Sequence, residues 1–180
     1  MLKIMNEMDE VWTRLIEEAT VRAKAAGRTD VADYLELKAG NDAIRLEGVQ
    51  WLFKSFLESA DRADKQGIKV QIENENPHRF PIGGATMVGS LIRFRFGLRN
   101  LTVEAGWARA PGDGFMRGGA LACARITHFG IAKYNAELML ARSDGSANLP
   151  RWVSIEKDGT TNPVSLNDLR RHFNFLLDSV

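Results

Sequence analysis

The chain has 180 residues, 44% of them hydrophobic and 26% charged, with a formal net charge of +1. This composition excludes a disordered chain, and one cysteine with three widely spaced histidines excludes an intramolecular disulfide or a zinc-ligand pattern. Residues 1–180 are expected to form a single domain with enough chain to bury a core unaided. The start turns acidic within ten residues, and no apolar run approaches the ~18 residues of a membrane span. Both features predict a cytoplasmic protein with no membrane association.

Residues 1–67 read as helical. Met8, Trp12, Leu15, Ile16 and Ala19 fall on one helical stripe, with Glu17 and Glu18 opposite. Gly27 is a stop, and Thr29 opens a second helix with Asp30 and Asp33 in its first turn, where carboxylates meet the positive helix end. Gly40-Asn41-Asp42 reads as punctuation, with Asn41 or Asp42 capping a third helix. Val49, Leu52, Phe53, Phe56, Leu57 and Ala60 form that helix's stripe. This third of the chain holds ten bases and thirteen acids, net −3.

From Ile68 the period changes to two: Ile68, Val70 and Ile72 alternate with Lys69, Gln71 and Glu73. The two prolines between Asn74 and Pro81 predict a loop, prolonged by Gly83-Gly84. Met87 to Phe96 and Leu101 to Trp107 predict a hairpin. A tight turn at Arg99-Asn100 opposes Arg95 to Glu104. A four-residue turn from Gly97 to Asn100 opposes Arg93 to Glu104 and is preferred, because Arg99-Asn100 lacks the glycine of a tight primed turn. Strands are expected over Ala120–Phe129 and Asn135–Arg142, with helix the alternative for each, and a short one over Arg151–Lys157. Ser143 to Pro150 is a polar turn. Ser165 and Asp168 make a capping-box variant ahead of a helix over residues 165–178. Its apolar stripe is Leu166, Leu169, Phe173, Leu176 and Leu177. Helices, then a mostly antiparallel sheet of five or six strands over residues 68–160, then a helix define an α+β fold.

The strongest functional signal is charge. Between Pro77 and Lys133 stand eight bases, seven of them arginine, and only two acids, Glu104 and Asp113. Arginine suits bidentate pairing with carboxylate or phosphate. In Ile92-Arg-Phe-Arg-Phe96 strand alternation sends Arg93 and Arg95 to one face and Phe94 and Phe96 to the core. That leaves an arginine face without an aromatic stacking platform. The loop Gly112–Gly119 matches neither nucleotide-binding glycine pattern. Its Phe115-Met116 pair and Arg117 suit a contact loop.

Catalytic sets are not assembled. Strand parity separates Cys123 from His128, so no dyad forms within that strand, though one with His78 or His172 stays open. A lone cysteine among alanines reads as a core residue, and His172 as a partner of free helix-end carbonyls. Trp12 and Trp107 lie on apolar stripes and read as core; Trp51 and Trp152 read as boundary residues. No catalytic residue, metal or cofactor is expected. The sequence therefore predicts a non-catalytic binding domain contacting an acidic protein or other anionic partner, or a second copy of itself. The contacts would come from Arg79, Arg93, Arg95, Arg117, Phe115 and Met116. Electrostatic nucleic-acid binding is the alternative. An enzyme for a small anion, with His78 or His128 as acid–base, is a third reading.

Overall fold

The computed structural model describes residues 7–142, 151–156 and 158–178, with the backbone alone at residues 7–9, 111 and 117. The turn expected at Ser143–Pro150 and the strand end at Lys157 lie outside the described residues. Helices α1 (Glu7–Ala25) and α2 (Thr29–Lys65) come first. Strands β1 (Gln71–Ile82), β2 (Ala85–Phe96), β3 (Arg99–Trp107), β4 (Ala122–His128), β5 (Ala136–Ala141), β6 (Arg151–Ile155) and β7 (Thr161–Pro163) follow, then helix α3 (Leu166–Leu177). The seven strands form one antiparallel sheet in sequence order. The α+β expectation holds, with seven strands instead of five or six. No helix among the described residues is long and apolar enough to cross a membrane.

One face of the sheet carries the main core. Val49, Leu52, Phe53, Phe56, Ala60 and Ala63 of α2 and Leu169, Phe173 and Leu176 of α3 pack on it. Phe94 lies at the centre, 5.6 Å from the Phe173 ring edge-on and 6.1 Å from Phe56. Each fully buried side chain of this kind contributes about 1.5–3 kcal/mol of transfer free energy. The capping box is present: Ser165 Oγ accepts from the Asp168 backbone N–H, and the Asp168 carboxylate accepts from the Ser165 N–H at 2.9 Å. A smaller cluster of Phe80, Ala85, Met87, Ala120 and Cys123 occupies part of the other face.

Three local expectations are corrected. The helix does not break at Gly40; α2 runs through it for 37 residues, about 55 Å at 1.5 Å per residue. Asp42 does not cap a new helix, because its carboxylate is held within the helix by Lys38 at 3.6 Å and Arg45 at 2.7 Å. The loop expected at Asn74–Pro81 is strand. β1 is an edge strand, where missing proline donors are tolerated, and Pro77 falls at the register shift between Glu75 and His78. The β2–β3 hairpin takes neither anticipated register. Its loop is Gly97-Leu98, with Gly97 at φ +59°, the sign a primed turn requires. Glu104 therefore stands opposite Leu91 and not opposite Arg93 or Arg95.

The helical pair α1–α2 reaches beyond the sheet. Of the α2 residues from Thr29 to Gly48, only Ala32 is buried, and α1 packs chiefly against α2. Gly48 marks where α2 meets the sheet; a Cβ there would stand 2.6 Å from Leu140. Trp152, expected at a boundary, is buried beside it and donates its indole N–H to the Gly48 carbonyl at 2.9 Å.

Candidate functional site

The arginines do not converge. Arg93 and Arg95 share the open face of the sheet, as strand parity requires, but both meet Glu73 of β1, at 3.0 and 3.4 Å. Farther along that face Arg125 lies 3.6 Å from Glu104 and 3.7 Å from Glu137, and also donates to the Pro81 carbonyl. His78 bridges Glu75 at 3.0 Å and Glu104 at 2.7 Å while stacking on Phe80. The face thus sets four carboxylates against three guanidiniums. Acids from β1 and β5, outside the basic stretch of sequence, neutralise it. Such half-exposed pairs are worth little stability each.

The remaining bases are dispersed. Arg79 pairs in register with Val88, so it points to the helix-bearing face, and its guanidinium meets Asp113 at 2.5 Å. Asp113 is buried and also accepts from the backbone N–H groups of Ala110 and Arg109, at 3.0 and 3.1 Å. The Ala110 N–H first, then Arg79, holds its carboxyl below the usual range. Asp113 therefore staples its own loop and occupies Arg79. Arg99 donates to the Phe175 carbonyl at 2.7 Å, the helix-end role expected of His172. The Arg117 side chain lies outside the described residues. The glycine-rich loop is drawn into short 3-10 turns at Pro111–Asp113 and Arg117–Gly119. Phe115 and Met116 part company there: Met116 packs on both apolar clusters, and Phe115 is 91% exposed.

The histidines and the cysteine are engaged by the protein. Cys123 sits in the smaller cluster, and burial, then the charge of Glu137, pushes its thiol up to about 11. The thiolate that nucleophilic attack requires is thus disfavoured. Both ring nitrogens of His78 meet carboxylates, leaving none to face a substrate. His128 Nε2 lies 3.0 Å from His172 Nδ1 with the rings stacked. Burial, then its neighbour His172, depresses His128 to about 4, and burial also lowers His172. The pair is neutral near pH 7, one imidazole donating to the other. His172 lines a polar cavity of about 420 Å³ that Tyr134, Asp168 and Arg171 also border.

Sequence reasoning missed that pair because 44 residues separate its members. It also missed a cleft of about 440 Å³ between α1, α2 and the end of β3. Trp12, expected in the core, is 46% exposed at its mouth, while Trp107 is buried at the base. The available signal was Ala39 and Ala43 at i, i+4 on α2, two small side chains on one face of the helix. No group of three or more metal-ligating side chains occurs among the described residues. No known family model, curated protein or solved structure matches this chain.

Proposed function

We propose that this chain is a non-catalytic interaction domain that self-associates through its projecting α1–α2 hairpin. The carrying observation is the uncovered stripe of α1: Val11, Trp12 and Leu15 are 45%, 46% and 47% exposed on a helix that has little but α2 to pack on. Contiguous apolar surface of this sort marks a contact site. A second copy fits it by charge. The helix opens on Glu7, Asp9 and Glu10 and carries Arg22 in its last turn, where Lys24 is already paired with Glu36 of α2. Two copies crossing antiparallel about Leu15 set acidic end against basic end, the self-complementarity a two-fold interface demands. Phe115, on the glycine-rich loop, is a further apolar contact point.

The sheet face offers less to an anionic partner, since a nucleic-acid or acidic-protein surface works through uncompensated cations. Light scattering on the eluting protein tests the reading. The expected mass is twice the chain's 20.1 kDa, falling to one chain in Leu15→Glu with the circular dichroism unchanged. A monomer at all concentrations, or a dimer indifferent to Leu15→Glu, overturns it.

A further inference from the structure

The cleft beside the hairpin has a composition of its own. Its walls are apolar, formed by Ile16 of α1 and by Ala39, Ala43 and Leu46 of α2, and its base is Trp107. The two alanines of α2 leave room along that wall. A volume of about 440 Å³ lies within the range of small-ligand sites. The mouth is cationic. Among the described side chains Lys38 and Arg45 line it against Asp42, while Arg109 lies over Trp107 with a partner of its own. The Lys38 ammonium lies 5.5 Å from the Trp12 ring centre, and the Arg109 guanidinium 4.4 Å from that of Trp107. The single Asp42 carboxylate is shared by Lys38, at 3.6 Å, and Arg45, at 2.7 Å. Arg45 is further fixed by its Nε donating to the Leu121 carbonyl at 2.7 Å. One carboxylate between two cations leaves a positive charge at the lip of an apolar slot.

We propose that this cleft binds a small apolar carboxylate, its body between Trp12 and Trp107 and its charged group at Lys38 and Arg45. A neutral apolar molecule would bury against the same walls but leave the cationic lip unanswered. A cation would be repelled there. Arg45 joins the cleft to the chain just past the glycine-rich loop, so a bound carboxylate touches a residue that also holds Leu121.

Octanoate, octanol and octylamine are the probes, followed by calorimetry and by the indole N–H signals in nitrogen-15 spectra, with Trp12→Phe and Trp107→Phe assigning two of them. Octanoate is expected to shift the Trp12 and Trp107 signals and leave that of buried Trp152 in place. Octanol is expected to bind at least about tenfold more weakly, and octylamine not at all, because a charge-assisted contact at the lip is lost. Lys38→Met should weaken octanoate about tenfold while leaving octanol unchanged. Ala43→Leu should abolish both by filling the slot, without removing any polar group. Trp12 borders both this cleft and the proposed contact stripe, so repeating the titration on monomeric Leu15→Glu separates the two. Equal binding of octanoate and octanol overturns the carboxylate assignment. Shifts that persist in Ala43→Leu, or no shift with any probe, overturn the site itself, and neither result bears on self-association.

Discussion

At the residue scale, the His128–His172 pair makes a pH prediction whose sign follows from burial. In the folded protein His128 resists protonation down to about pH 4, and His172 is lowered as well. The unfolded chain takes up those protons near 6.5. Between the two values the unfolded state binds more protons, so stability is fully present above pH 6.5 and is lost as pH falls toward 4. For His128 alone the loss is on the order of 2–3 kcal/mol. The charged groups near His172 act in opposite directions, Asp168 favouring its protonation and Arg171 opposing it. The depressed carboxyls Asp113 and Asp168 titrate below 3.8, outside the window. Urea midpoints should therefore hold from pH 7.5 to about 6.5 and fall from there to pH 4.5, and should fall less in His128→Asn. A flat profile, or one unchanged by that substitution, would remove the pair as the cause.

At the element scale, the β2–β3 pairing depends on two facing glycines. Gly89 stands opposite Gly106, and a Cβ at Gly89 would meet the Ala105 carbonyl oxygen at 2.0 Å and the Gly106 Cα at 2.6 Å. Backbone cannot swing aside as a side chain does, so Gly89→Ala should cost about 2 kcal/mol or more, whereas Gly112→Ala, with nothing within 4 Å, should cost none. Thermal unfolding of the two variants decides it; equal melting temperatures would mean the strands can part without penalty. The same strands show what the sequence could convey. Period-two alternation put Arg93 and Phe94 on opposite faces, and that rule is local. Register was not legible, because the turn is Gly97-Leu98 alone and Arg99-Asn100, expected within a Gly97–Asn100 loop, begins β3. The charge of the open face was illegible for a related reason. Glu73 and Glu137 lie outside the basic stretch, and only strand pairing brings them to Arg93, Arg95 and Arg125. Helix α2 gave the converse lesson: Gly40-Asn41-Asp42 has turn chemistry by composition, but Lys38 and Arg45 give Asp42 partners that exist only if the helix continues.

At the scale of the whole molecule, stability is unevenly shared, and this bears on the proposed contact. The body has a continuous core in which Phe53, Phe56, Phe94 and Phe173 are fully buried. The hairpin has almost none: among its described side chains from Glu10 to Gly48 only Ile16, Ala23 and Ala32 are buried. Local opening free energy follows buried apolar contact, so the hairpin should open far below the cost of global unfolding. Hydrogen exchange read by mass spectrometry should show residues 10–46 exchanging faster than residues 49–63 by at least about tenfold in monomeric Leu15→Glu, although both segments are helical. In the parent protein the hairpin's exchange should slow as concentration rises, since a partner that binds only the formed hairpin stabilises it by mass action. Octanoate should slow it further at fixed concentration if the cleft is occupied, because its walls belong to both α1 and α2. Uniform protection along α2 would mean the hairpin is held by contacts within one chain, and Val11, Trp12 and Leu15 would then need no partner to account for its order.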